Sequence, residues 1–136
     1  MNVHPTFSLV GRVLLALMFV LAGFSKFSNL DGTAGYIASQ GLPMASVLAF
    51  LTAVVEVVGG LALMIGFQTR WAALVLALFT LVASLIFHDF WTLPADQQMM
   101  QQLMFMKNLS VAGGLLMVFA LGGGAASVDA RRLASA

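Results

Sequence analysis

Between Ser46 and Phe67 the chain reads SVLAFLTAVVEVVGGLALMIGF, an apolar run broken by one charge, Glu56, at its midpoint. Coiled as an α-helix, a run of this length spans roughly 30 Å, the thickness of a bilayer's hydrocarbon core. A carboxylate at that depth costs at least ~2.5 kcal/mol against lipid, so it has to turn toward protein or water. Gly59 and Gly60 follow at i+3 and i+4 on the same face, where small residues admit a second helix backbone beside the carboxylate. The run therefore predicts one helix of a transmembrane bundle with Glu56 facing inward. Two readings of Glu56 stay open at this point: a proton-active group, or half of an ion pair that orders the bundle.

The remainder of the chain is of the same kind. It is 61% hydrophobic and 8% charged, where soluble domains carry about a quarter of their residues charged. This composition predicts an all-α, polytopic membrane protein, a four-helix transmembrane bundle forming a single integral membrane domain over residues 1–136. A net charge of +1 without a basic run excludes a nucleic-acid interface. The absence of cysteine removes disulfides, thiolate nucleophiles, CxxC redox motifs and iron–sulfur ligation. Any redox chemistry would need a bound cofactor or a redox partner protein.

Four spans are expected, at about 7–27, 46–67, 71–88 and 103–121. The first lacks a basic n-region and a small-residue cleavage site, so it reads as a retained helix. Arg12 and Lys26 lie near its two ends, where basic stems can snorkel to the headgroups. Ala16, Phe19, Gly23 and Lys26 share one face. The segment Ser28–Ala45, with Gly32, Gly35, Gly41 and Pro43, reads as a loop carrying a short interfacial helix over Thr33–Gln40, anchored by Tyr36. In the third span Ala73, Ala77, Thr80, Ser84 and His88 form a small, weakly polar stripe that should point into the bundle. Leu74, Leu78, Phe79, Leu85 and Ile86 suit lipid. Thr92, Pro94 and Asp96 mark a helix start, so the fourth helix should begin near Ala95, ahead of its span.

Four spans place both termini on one side of the membrane. Arg12, Arg70, Arg131 and Arg132 then fall together, opposite Lys26 and Lys107, and the positive-inside rule puts both termini in the cytoplasm. With this topology Lys26, His88, Asp89, Lys107 and Asn108 gather in the outer half of the bundle, above Glu56. Helical side chains lean toward their own N-terminus. Lys26 and His88 thus lean inward and Glu56 outward, which predicts a polar pocket open to the extracytoplasmic side. Glu56 and His88 are the catalytic candidates; Lys26, Lys107 and Asn108 are the ligand-binding candidates. Such a set suits proton handling at a bound quinone, whose carbonyl would accept a hydrogen bond from His88 or Lys107 while Glu56 relays the proton. A purely structural ion-pair network needs the same cluster. No metal-ligand set is found, because His88 and Asp89 are adjacent and diverge on a helix. Met99, Met100, Met104 and Met106 read as apolar filler. His4 and His88 lie on opposite sides, so haem is not held between them within one subunit.

Five stretches carry a family likeness: LAGFSKF at Leu21–Phe27, EVVGGLALMIGFQTRWAAL at Glu56–Leu74, FHDFW at Phe87–Trp91, QLMFMKNLSVAGGLLMV at Gln102–Val118, and SVDARR at Ser127–Arg132. Together they resemble the DoxX family, in particular its small bacterial inner-membrane branch. The matching positions are Gly23, Lys26, Glu56, Gly59, Gly60, Gly66, Arg70, His88, Lys107, Asn108 and Asp129. The resemblance implies a four-helix bacterial inner-membrane protein. The family name comes from a subunit linked to quinone-coupled oxidation of sulfur compounds, and oxidoreductase is the label such proteins usually carry. It thereby implies a quinone-linked redox component, embedded in the lipid bilayer, with a redox partner and a second copy of the chain as candidate partners. The rival class is a non-enzymatic binding or assembly subunit, or a small-molecule carrier.

Overall fold

The computed structural model describes residues 4–136. Its elements are α1 (Pro5–Ser28), α2 (Leu30–Ser39), α3 (Ala45–Ile65), α4 (Thr69–Phe87), a single 3-10 turn at Phe90–Thr92, α5 (Ala95–Leu121) and α6 (Val128–Ala134). Among the described residues there is no strand. The segments containing α1, α3, α4 and α5 are long and apolar enough to cross a membrane. The fold is an all-α bundle of four such helices.

Local chemistry explains where these helices stop. Pro5 occupies the first helical position of α1, where a missing N–H costs nothing. Asn29 ends α1 and starts α2, its side-chain oxygen accepting from the Gly32 N–H at 3.0 Å. The helix expected over Thr33–Gln40 therefore begins at Leu30, because its cap lies one turn earlier than the polar pattern suggested. α3 ends at Gly66, whose φ of 76° is the left-handed conformation that glycine tolerates. α5 starts at Ala95, directly after Pro94.

α1 packs chiefly on α3 and α4 on α5, α3 joins the two pairs, and α2 lies across α3. Because lipid is as apolar as a leucine core, close backbone approach rather than hydrophobic burial has to hold these pairs together. Gly23 and Gly60 provide that approach. A Cβ on Gly23 would meet the Val57 Cγ2 at 2.6 Å and the Val57 amide at 2.9 Å. One on Gly60 would meet the Val20 Cγ2 at 2.9 Å. Gly59 faces the other way and receives Leu76 of α4. Around these contacts Ala16, Phe19, Leu63, Ala73, Leu76, Ala77 and Leu115 form the core. Ala73, Ala77, Thr80 and Ser84 are all buried, whereas Leu78 and Leu85 are exposed on the lipid-facing surface.

Arg12 does not snorkel. It is 2% exposed, and its guanidinium donates to the backbone carbonyls of Gly123 and, at 2.8 Å, Ala126. The segment after α5 folds back across the end of the bundle and brings those carbonyls to it. That segment is also tied to the α3–α4 turn. The Asp129 N–H donates to the Gly66 carbonyl at 2.9 Å. The Asp129 carboxylate accepts from the Gln68 and Thr69 N–H groups at 2.8 Å and from Thr69 Oγ1 at 2.6 Å. Those bonds cap α4, whose own N-cap residue, Gln68, gives no side-chain bond. Partial burial alone would raise the Asp129 carboxyl. The hydrogen bonds from Thr69 and Gln68, with the nearby Arg132 charge, outweigh it and hold the group below the usual carboxylate range.

Candidate functional site

At the opposite end of the bundle from Arg12, the last turn of α1 carries Lys26 and the middle of α3 carries Glu56. Lys26 Nζ lies 2.6 Å from Glu56 Oε2. The Glu56 side chain is 7% exposed and that of Lys26 is 29% exposed, so the pair spans the boundary between packed interior and open space. α1 and α3 come close enough for this bond because Gly23, one turn before Lys26, lies against Ala53 and Val57 on either side of Glu56.

The pair forms part of the wall of a cavity of about 320 Å³. All five residues singled out in the sequence line it: Lys26, Glu56, His88, Lys107 and Asn108. They arrive from four helices. Most of the remaining wall is apolar, including Met18 and Phe19 of α1 and Phe79 and Phe87 of α4. Phe79 was expected to face lipid; it turns into the cavity because the neighbouring small residues, Thr80 and Ala83, leave space between α4 and the other helices.

These residues are not equally engaged. His88 Nδ1 lies 2.7 Å from Gln101 Oε1, which fixes the ring against α5. Lys107 is exposed and Asn108 partly buried, and neither makes a side-chain hydrogen bond or ion pair among the described residues. Thr52 and Thr80 donate to the carbonyls of Ala49 and Leu76 within their own helices.

Two contributions were not read from the sequence. Gln101 positions His88, and its signal is its place seven residues before Asn108, two turns along the same face of α5. Tyr36 was expected as a headgroup anchor. Its half-exposed ring also stacks on Phe87 at 5.3 Å, and it lines the cavity with Thr33 and Ile37 of α2. α2 is thus a wall of the site. Among the described residues no group of three or more His, Asp or Glu side chains is placed to hold a metal.

Ammonium and amide groups share the lining with flat aromatic rings and a carboxylate. Chemically, the arrangement can bind a small organic molecule, donate hydrogen bonds to its oxygens and exchange a proton through Glu56.

The DoxX family model matches residues 7–89, from α1 to the end of α4, and relatives extend the likeness over α5. Inner membrane protein YphA of Escherichia coli is 35% identical over 128 residues, covering 94% of this chain and 91% of its own length. Inner membrane protein YqjF of the same organism is 38% identical over 121 residues, covering 89% of this chain and 88% of its own length. A Bacillus subtilis protein named "Putative oxidoreductase CatD" is 35% identical over 79 residues, 58% of this chain and 57% of its own length. No solved structure matches the chain. Four membrane-length helices in contact with the lipid bilayer and two nearly full-length inner-membrane relatives describe a multi-pass inner-membrane protein. On the match over residues 7–89 and the identity to YphA and YqjF, the chain belongs to the DoxX family.

Proposed function

We propose that the cavity binds a quinone and that the protein is a quinone-linked redox component of the inner membrane, working with a partner protein. The observation that carries this reading is the Lys26–Glu56 pair, 2.6 Å long, set into the wall of an otherwise largely apolar cavity of about 320 Å³. That volume lies within the ~300–1,000 Å³ of small-molecule sites. A bound quinone supplies an acceptor for two electrons and two protons. Lys107 and Asn108 orient the ligand by donating to one of its oxygens. Glu56 exchanges a proton at the ligand, and Lys26 holds the carboxylate in place and compensates its charge. His88, held by Gln101, is the second proton-handling group. Electrons come from the partner, since the chain has no thiol. The name of CatD, "Putative oxidoreductase", agrees with a redox role and goes no further than that.

Arg70, Arg131 and Arg132 cluster at the far end with the C-terminal segment. By the positive-inside rule this supports a topology with that end and both termini in the cytoplasm and the cavity open outward. The test is mass spectrometry and a redox difference spectrum on detergent-purified protein. A stoichiometric quinone, lost in Glu56→Gln or His88→Gln, supports the reading; ordinary lipid alone sinks it.

A second reading is favoured by one contact. The Lys26–Glu56 bond joins α1 to α3, as a strut in a non-enzymatic binding or assembly subunit would. In that case Glu56→Gln lowers thermal stability and changes nothing else.

A further inference from the structure

Among its lining side chains the cavity holds two lysines, Lys26 and Lys107, against one carboxylate, Glu56. Lys26 and Glu56 neutralise each other. Lys107 is left over, and no carboxylate among the described residues lies within ion-pairing distance of it. Thr52 and Thr80 spend their hydroxyl protons on backbone carbonyls, so their oxygens, like the second Glu56 oxygen, can only accept. The unspent donors in the lining include the Lys107 ammonium, the Asn108 amide N–H and the remaining protons of Lys26.

Lys107 also stands where a ligand could reach it from the bilayer. α1 and α5 touch sparsely, meeting where Gly114 lies under Leu15. Lys107 is seven residues before Gly114, two helical turns toward the cavity end, and is exposed there. Beside it the apolar walls continue inward.

We infer that the same cavity also admits, in alternation with a quinone, an amphiphile whose head carries a negative charge, the head lying between Lys107 and Asn108 and the body along Met18, Phe19, Phe79 and Phe87. In a low-dielectric surround a counter-ion is attracted far more strongly than in water, and here the ligand supplies the counter-ion the chain lacks. This rests on the cavity being a binding site, and not on its ligand being a quinone. The carboxylate of a free acid and the phosphate of an anionic phospholipid share the required chemistry.

The test uses the purified full chain in a non-ionic detergent at pH 8, titrated with fluorescent cis-parinaric acid and with its methyl ester, which has the same body and no charge. The acid should bind about tenfold more tightly, a preference equivalent to about 1.4 kcal/mol. Lys107→Gln, expected to melt like the wild type because Lys107 has no hydrogen bond or ion pair to lose among the described residues, should abolish most of that preference, and Lys107→Arg should keep it. Phosphatidylglycerol that displaces the acid identifies a lipid phosphate as the natural head; failure to displace it identifies a free acid, and both results keep the anionic head. Equal binding of acid and ester, or a preference that survives Lys107→Gln, overturns the inference while leaving a binding cavity. Binding of neither probe overturns the inference and the cavity reading together.

Discussion

Lys26 Nζ and Glu56 Oε2 are 2.6 Å apart, joining the last turn of α1 to the middle of α3 at the lip of the cavity. Removing one partner strands the other. Glu56→Gln should cost about 1–3 kcal/mol, less than the 3–5 of a fully buried pair because Lys26 keeps some solvent access. The double variant Lys26→Met/Glu56→Leu should regain most of the lost melting temperature, since an apolar pair of similar size has nothing to desolvate. It should still carry no quinone. A double variant that recovers stability and retains the ligand would show the pair to be a strut only.

The Gly23 contact predicts a sharp contrast between glycines. Gly23→Ala drives a methyl group into the α3 backbone, with the Val57 amide at 2.9 Å and the Ala53 carbonyl at 3.0 Å. It should destabilise the bundle by about 2 kcal/mol. Gly113→Ala, in α5, meets nothing within 4 Å and should be neutral or stabilise by up to about 1 kcal/mol. Unfolding in mixed micelles measures both.

Asp129 predicts an acid-sensitive component of stability. Its folded carboxyl titrates below the model-peptide value of 3.8. The ionised group therefore stabilises the fold fully above that value, and the contribution disappears as pH falls through the lower folded value. Asp129→Asn should cost about 1–2 kcal/mol at neutral pH, as loss of a helix cap does. The gap between wild type and variant in thermal melts should close below pH 3.8.

Arg12→Met leaves the carbonyls of Gly123 and Ala126 without their donor. The expected cost is about 1–3 kcal/mol. Limited trypsin digestion at Arg131 and Arg132 should quicken, because the segment preceding them is then held only through Ser8 and Asp129.

Helical periodicity is a local property, and what depended on it was readable. The run around Glu56 announced a span, and the spacing of Ala73, Ala77, Thr80 and Ser84 announced its buried face. The meeting of Lys26, Glu56, His88, Lys107 and Asn108 in one cavity followed from topology and depth. Features that depend on distant chain segments were not readable in that way. Arg12 looked like a headgroup anchor because its acceptors lie 111 and 114 residues further on. Its position four residues before Ala16, on the buried face of α1, was the available sign. Phe79 looked lipid-facing because a polar stripe marks the tight side of a helix, whereas a cavity between helices can be lined by a large ring. Tyr36 met Phe87 through the placement of α2, which no spacing within Ser28–Ala45 encodes.

The bond from Arg12 to the carbonyls of Gly123 and Ala126 also sets an order of events in biosynthesis. α1 is made early, with a guanidinium on the face that will be buried, and its acceptors leave the ribosome only after 111 further residues have been added. At about 5–20 residues per second the gap is roughly 5–20 s. Throughout that interval Arg12 lacks both of these acceptors, and water or headgroups have to stand in for them. The end of the bundle that holds Arg12 is therefore the last part of the molecule that can reach its final hydrogen bonding, after all four long helices have been made.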